Sequence, residues 1–551
     1  MLDIRNKKFY LIILIALAIT AIGLFEPLMR NDDPVLYANI AKQMILQHNW
    51  IDLYSGGQDW LDKPHFPFWM AALSFKIFGI NSFAYVLPGY LFHLLGAYYT
   101  YRLAKHLYNN EVGLLAMLIY VTSLHLMLSA MDVRAEAYLL GEIMPACYYW
   151  LIYDKESSLK SLLLASFFTA LALMTKGIFV LITIFSGLVA AWIYSGQFKK
   201  IITPKWLLGY GLSLVFILPE LICLYLQFDA HPEKVIFGQT HVSGILWYFW
   251  GSQFGRFFNS GPIVNKHGDI FFFVHTYLWA FLPWSMVFII ATYQLIKNFK
   301  KEADKVLKAK QVYLLAAFWL TFIMFSATKF QLDHYTNIIM PFAAILCADY
   351  LYRQSGMKLA KFQLVISVLL IILTIGLTLY LFKLDMASIS IILPLGLLIY
   401  IIQTKNKISY LSQIIIYPAL AISFAFVFIM LVNGRIYARY DFGYLAAQIV
   451  NAQTESLLVY DYNVNALPLE FHSNYPYHKA HELADLPTTG SYYLFIRDTD
   501  WQQLAANKRK FQLIGQFCGN TIDKVIPYYT NSAKLQQHLE CFMVLKNDTN
   551  K

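Results

Sequence analysis

Residues Phe9 to Met44 read FYLIILIALAITAIGLFEPLMRNDDPVLYANIAKQM. The opening run, Phe9–Leu24, is apolar and follows Arg5, Lys7 and Lys8, the charge pattern of a segment whose positive flank stays on the cytoplasmic side of a membrane. No small-residue cleavage site follows it and many apolar runs come after, so it reads as a retained first span. Asp32 and Asp33 then stand side by side. Pro34 suits the first turn of a helix and Asp33 its N-cap, while Leu36, Ile40 and Met44, flanked by Tyr37 and Ala41, form an apolar stripe at helical spacing. The pattern predicts a helix lying in the membrane interface, with Asp33 accounted for as a cap. Asp32 has no such role, and a second carboxylate at a membrane surface is costly unless a cation or substrate compensates.

Composition generalises the point. Of 551 residues, 58% are hydrophobic and only 14% charged, with 42 Phe and 39 Tyr. A soluble chain of this size cannot hide that much apolar surface, so the solvent is lipid. The net charge of +10 is concentrated in short loops between apolar runs, which marks topology and predicts no nucleic-acid partner. At roughly 20 residues per span the chain divides into about thirteen candidates, from Phe9–Pro27 to Leu411–Leu431. Basic loops such as KNFKKEADKVLKAK, Lys297 to Lys310, define the cytoplasmic side. An odd count then sends the tail to the outer face.

The predicted fold class is a polytopic α-helical membrane domain, residues 1–432, followed by a small α/β domain, residues 433–551. Outer interfacial helices are expected at about 30–82 and an outer loop at about 227–269. In the tail, LLVYDY (Leu457–Tyr462), SYYLFIR (Ser491–Arg497) and KFQLIGQF (Lys510–Phe517) read as strands, and TDWQQLAANKR as a helix opened by Thr499 or Asp500. Cys147, Cys223 and Cys347 lie within spans. Cys518 and Cys541 lie in the tail, where an oxidising compartment would allow either a disulfide or two free thiols.

Unusual polar residues gather on the outer face. In WLDKPHFPFW, Trp60 to Trp69, a tight extended turn presents Lys63 beside Asp62 and His65, walled by aromatic rings. Taken alone, Lys63 reads as a lysine snorkelling to the interface. Lys176 in MTKG, Arg256 after WYFWGSQFG, His267 and His275, and Lys329, His334 and Tyr335 in SATKFQLDHY join it. Several cations converging on an acidic pair point to an anionic ligand, phosphate first, and the aromatic abundance suits a lipid tail or a sugar ring. The sequence lacks a Walker A loop, a dinucleotide fingerprint, a nucleophile elbow and an HExxH pattern. The spacing of Asp62 and His65 is not diagnostic of a metal site, so no metal or other cofactor is expected in catalysis.

Together NDDPVLYANIAKQM, LDKPHFPFW, MTKG, the stretch His267–Trp284 and SATKFQLDHY resemble the polytopic glycosyltransferases of the GT-C fold, specifically the bacterial aminoarabinose transferase (ArnT) and protein mannosyltransferase group. The resemblance implies that Asp32 or Asp33 is the acidic active-site residue. It further implies that Lys63, Arg256 and Tyr335, with Lys329, contact the phosphate of a polyprenyl-phosphate sugar. Tyr37, Asp62, His65 and His267 are implied as further substrate contacts. Leu36 stands where the family has an arginine before the tyrosine. Alignment on Tyr37 selects Asp33, and alignment on the acidic pair selects Asp32. The expected activity is inverting transfer of a sugar, with an amino sugar such as 4-amino-4-deoxy-L-arabinose as one candidate, to lipid A or a related envelope glycolipid. The rival readings are protein O-mannosyltransferase-like transfer to Ser or Thr and non-enzymatic lipid transport. The implied location is the bacterial inner membrane, with the amino terminus cytoplasmic and both active site and tail periplasmic.

Overall fold

The computed structural model describes residues 7–265, 268–354, 356–382, 388–504 and 511–547. Helix α1, Lys7–Ile22, leads into the acidic loop. Helix α2, Asp33–Leu46, follows it, then a two-residue ladder of β1, Tyr54–Ser55, with β2, Gln58–Asp59, and helix α3, Phe66–Phe78. Among the described residues four helices are long and apolar enough to cross a membrane: Leu159–Lys176, Lys305–Ala327, Met357–Phe382 and Tyr410–Tyr440. Counting each of two bent pairs as one span raises the number to six.

The difference from about thirteen uniform spans has local causes. The apolar run Val112–Ala130 is two helices, Asn110–Val121 and Leu124–Ser129, because Thr122 and Ser123 fold back onto the carbonyls of Leu118 and Ile119. The run Ile270–Ile296 is Phe272–Ala280 followed by Ser285–Asn298, bent by 115°. Pro283 lies in the break and has no N–H to continue the helix. The two runs flanking Lys176 are separate helices, Leu159–Lys176 and Val180–Tyr194, parted at Gly177, whose φ of 98° suits a residue without a side chain.

Helix α2 departs from the interfacial expectation. Val35, Tyr37, Ala38, Asn39, Ile40, Ala41, Lys42 and Met44 are all buried, so the helix has no broad lipid-facing side. The tail covers it. The helix starting at Tyr410 continues through Tyr440, and the chain leaves it at Asp441, which caps the next helix, Phe442–Asn451. A five-stranded sheet follows in the order β4-β3-β5-β7-β6. Its strands are β3, Leu458–Tyr462; β4, Tyr477–Ala480; β5, Tyr492–Arg497; β6, Phe511–Gly519; and β7, Glu540–Asn547. β3 runs parallel to β4 and β5, while β7 is antiparallel to β5 and β6. β5 is central and buried on both faces, which explains its unbroken apolar run. The expected tail helix is present as Asp498–Leu504, and its predicted continuation falls outside the described residues. Cys518 and Cys541 are register partners on β6 and β7, 4.0 Å apart at Cα and disulfide-bonded.

Polar bonds bolt this tail to the acidic loop. Asp461 accepts the N–H groups of Val464, Asn465 and Ala466, folding the turn after β3 so that it reaches Asn31. Asn31 donates to the Asn465 carbonyl at 2.5 Å and accepts from the Leu467 N–H at 2.7 Å. Lys42 donates to three carbonyls, of Glu470, Phe471 and Ser473, at 2.7–3.1 Å. One ammonium thus satisfies the open carboxyl-terminal end of a short helix.

Candidate functional site

The acidic pair is organised in the reverse of the expected way. Asp32, not Asp33, is the N-cap: its backbone is extended (φ −141°, ψ 174°) and its Oδ1 accepts the Asp33 N–H at 2.7 Å. The Asp32 carbonyl accepts the first helical N–H groups, from Val35 and Leu36, both at 3.1 Å. Helical geometry starts at Asp33, so that side chain projects from the first turn instead of closing it.

Arg134 supplies the compensating cation. Its guanidinium pairs with Asp32, and lies 3.5 Å from Asp33 and 3.1 Å from Asp132. Burial alone would raise the Asp32 pKa, but the charge and hydrogen bonds of Arg134, with the Asp33 N–H, hold it below the usual carboxylate value. Asp32 is therefore ionised throughout the neutral range. Arg134 was not singled out by the motifs. Its signal was the alternation of Asp132, Arg134 and Glu136 at the mouth of an apolar helix, a costly place for three charges.

Beside the pair, Lys63, Lys176, Arg256 and Tyr335 line a pocket of about 610 Å³ walled by Phe257, Phe325, Phe330 and Ile338. Asp62 bridges two of the cations, pairing with Lys63 at 2.7 Å and with Arg256. Its carboxylate is committed to holding them, so it positions the cations instead of presenting an acid to substrate. The Nε of Arg256 is buried and has no hydrogen-bond partner among the described residues. Lys176 pairs with Glu136, and its ammonium sits 3.7 Å from the centroid of the Tyr335 ring. Gln253 fixes this corner by donating to the Lys176 carbonyl at 3.1 Å, and a Cβ on Gly177 would lie 2.4 Å from the Gln253 amide nitrogen. The Tyr335 hydroxyl has no hydrogen-bond partner among the described residues and its ring packs at a tilt against Phe325, centroids 5.6 Å apart.

The electrostatics favour a bound anion. Burial would lower the Lys63 pKa, yet Tyr37 and Tyr335, and after them Asp33 and Glu136, hold it above the usual value and keep the ammonium charged. Burial raises the Tyr335 pKa, keeping the phenol protonated as a donor. Asp33 does not line this pocket, but it interacts electrostatically with Lys63, Lys176 and Tyr335, so the pair divides: Asp33 is coupled to the cations. Asp32 lines a second, polar pocket of about 660 Å³ between the acidic loop and the tail.

Three further predicted residues fall outside both pockets. His65 is buried, with Nδ1 at 3.0 Å from Glu220, Nε2 at 2.7 Å from the Ile51 carbonyl and its N–H on the same Glu220; both ring nitrogens are occupied, so it fixes the loop and is not available to substrate. Tyr37 is packed edge-on against Trp60 and Phe68 and lines neither pocket, while it interacts electrostatically with Lys63 and Asp33. Lys329 is exposed, with its backbone N–H on the Phe257 carbonyl at 3.1 Å, outside the cationic pocket. His267 lies outside the described residues. Among the described residues no group of three His, Cys, Asp or Glu side chains converges as metal ligands do.

Similarity to known proteins follows the same geometry. The crystal structure of ArnT from Cupriavidus metallidurans bound to undecaprenyl phosphate superposes with a TM-score of 0.76 at 15% identity, covering 98% of each chain. The chain has the GT-C fold of ArnT. The sequence profile of the dolichyl-phosphate-mannose-protein mannosyltransferase family matches residues 62–223, from Asp62 past Lys176 to Cys223. An undecaprenyl phosphate-alpha-4-amino-4-deoxy-L-arabinose arabinosyl transferase of Proteus mirabilis is 25% identical over 59% of this chain and 55% of its own length. An uncharacterized protein of Aquifex aeolicus is 26% identical over 65% of this chain and 67% of its own. Sequence similarity to the named transferases thus spans about half their length, whereas the ArnT-like architecture runs through the whole chain.

Proposed function

We propose that the chain is a multi-pass glycosyltransferase of the bacterial inner membrane that moves a sugar from a polyprenyl-phosphate carrier to lipid A or a related envelope glycolipid. The amino terminus would face the cytoplasm, and the site and tail the periplasm. The observation that carries this reading is the buried, unpartnered Nε of Arg256 in a pocket shared with two lysines, a tyrosine hydroxyl and an aromatic wall. A phosphate on an isoprenoid satisfies every part of that lining: its oxygens take the orphan donors and its hydrocarbon takes the rings. The family profile over residues 62–223 and the whole-chain likeness to ArnT support a lipid-phosphate-linked donor.

Transfer breaks the bond between the anomeric carbon and the phosphate oxygen, with positive charge on the sugar and negative charge growing on the leaving phosphate. Lys63, Lys176 and Arg256 receive the departing charge, and Tyr335 donates a hydrogen bond to it, so no general acid is required. Asp33, beside these cations, stabilises the electron-deficient sugar. Asp32, in the polar pocket, orients the acceptor, and serves as base if that acceptor is a hydroxyl. The displacement is single and inverting, with the acceptor entering opposite the phosphate.

A second reading, transfer to protein Ser or Thr, is favoured by the name of the matching profile. Mass spectrometry of envelope lipids from cells with and without the protein separates the two. A sugar-sized mass lost from lipid A in the null supports the glycolipid; unchanged lipid A with labelled sugar in a protease-sensitive product supports the protein acceptor.

A further inference from the structure

A further cavity lies at the far end of two helices that reach the donor pocket. Helix Lys305–Ala327 brings Met324 and Phe325 to the donor pocket and, near its start, Gln311 to this cavity. Helix Met340–Arg353 begins shortly after Tyr335 and ends with Asp349 and Arg353 in the cavity. At 1.5 Å per residue, Gln311 and Met324 are about 20 Å apart along their helix. The basic run Lys297–Lys310 contributes Asn298 and Glu302 to the lining, which puts the cavity on the side read as cytoplasmic.

The cavity holds about 590 Å³, and its buried polar atoms are acceptors. Gln311 is 9% exposed, and its buried Oε1 has no hydrogen-bond partner among the described residues. Asp349, 7% exposed, accepts the Arg353 Nε–H on Oδ1 at 2.7 Å, and no hydrogen bond among the described residues occupies its Oδ2. Glu302 adds a half-buried carboxylate. Open acceptors in a buried place call for a donor. The cations stand further out. Arg353 is exposed and gives only Nε–H to Asp349, and Lys358, also exposed, forms no ion pair among the described residues. Lys358 lines an adjoining groove of about 870 Å³ with Ile290, Leu359 and Phe362, and groove and cavity share Tyr350 and Gln354. Phe362, Val365 and Leu369 follow at helical spacing along Met357–Phe382, a helix long and apolar enough to cross the membrane, and the last two are exposed.

We infer that this cavity and groove bind a bilayer phospholipid with a primary-amine headgroup, of the phosphatidylethanolamine class. Its ammonium donates to Gln311 Oε1 and Asp349, its phosphate meets Arg353 and Lys358, and an acyl chain lies along Ile290, Leu359 and Phe362. Two carboxylates and two cations leave the lining without net charge, which matches a zwitterion and not an anionic lipid. A quaternary ammonium has the same charge but no N–H, so it would leave the Gln311 acceptor open. The inference goes beyond the transfer reaction and does not depend on which acceptor receives the sugar.

The test is native mass spectrometry of the full-length protein in detergent, titrated with phosphatidylethanolamine, phosphatidylcholine or phosphatidylglycerol of identical acyl chains. Wild type is expected to bind the ethanolamine lipid roughly 10-fold more tightly than the choline lipid, the worth of one charge-assisted hydrogen bond, and more tightly than the glycerol lipid. Gln311→Leu should erase the preference for ethanolamine over choline while leaving choline-lipid binding unchanged. Lys358→Gln should weaken both by the same factor, since both carry the phosphate. Equal binding of the ethanolamine and choline lipids by wild type, a preference for the glycerol lipid, or an ethanolamine preference that survives Gln311→Leu overturns the inference. Should Gln311→Leu misfold and lose both lipids, Gln311→Glu decides: it keeps an acceptor in place, so a retained ethanolamine preference supports the site and a lost one overturns it.

Discussion

Arg256 and Asp33 separate binding from chemistry at the scale of single side chains. Arg256→Lys keeps a charge but loses the Nε–H that has no partner among the described residues, so kcat/KM is expected to fall roughly 10- to 100-fold, and Arg256→Ala roughly 100- to 1,000-fold, measured as sugar transfer in nanodiscs. Asp33→Asn should lower kcat by about 100-fold or more with little change in melting temperature, since Asp33 does not cap the helix. Asp32→Asn preserves the cap, because asparagine also caps, but releases Arg134, and should raise acceptor KM more than donor KM. Equal, mild effects from both aspartate variants would refute this division. The sequence made the pair conspicuous through its cost at a membrane surface. Which aspartate capped the helix was not legible, because adjacent Asp-Asp-Pro satisfies the capping preference in either register, and Arg134, about a hundred residues away in sequence, decided the matter.

At the scale of elements, helix α2 and the two helices behind it show where local pattern and tertiary contact part. The apolar stripe of α2 predicted an interface helix, yet Lys42 and Asn39, on its polar side, are buried against the tail. A lysine whose partners are carbonyls of a distant segment cannot be recognised from its own neighbours. His472 reports on the same junction: its Nε2 lies 2.6 Å from the Leu28 carbonyl, and burial lowers its pKa to about 4 from 6.5. Because the docked state holds this imidazole neutral while an undocked one protonates near 6.5, docking is complete above that value and weakens as pH falls towards 4. Each pH unit within the window should shift the equilibrium by up to tenfold, read as protease sensitivity of the tail, and His472→Gln should flatten the profile. Deeper in the membrane domain, a Cβ on Gly141 would lie 2.5 Å from the Phe92 carbonyl, so Gly141→Val should destabilise this close helix crossing by about 1–3 kcal/mol in a thermal-shift assay.

Across the whole molecule, the membrane domain supplies the cations and the tail supplies one wall of the pocket that Asp32 lines. Three of the five tail strands were legible from alternating or unbroken apolar runs, while β4 is short and β7 carries charged ends that blur its period. The disulfide joins β6 to β7 across 23 residues, and Cys541→Ser should loosen the tail by roughly 2–4 kcal/mol, seen as faster proteolysis and as alkylation of Cys518 without prior reduction. The count of membrane crossings was the least legible feature, because hydropathy cannot see the breaks at Ser123, Gly177 and Pro283 that cut apolar runs into shorter helices. The measurement that bears most directly on the central claim is single-turnover transfer from a labelled undecaprenyl-phosphate sugar by the purified protein, with product mass and anomeric configuration determined together. Inverted product formed by wild type, and lost in Asp33→Asn and Arg256→Ala, is the predicted result; retained configuration, a covalent glycosyl-aspartate, or turnover indifferent to both substitutions would contradict it.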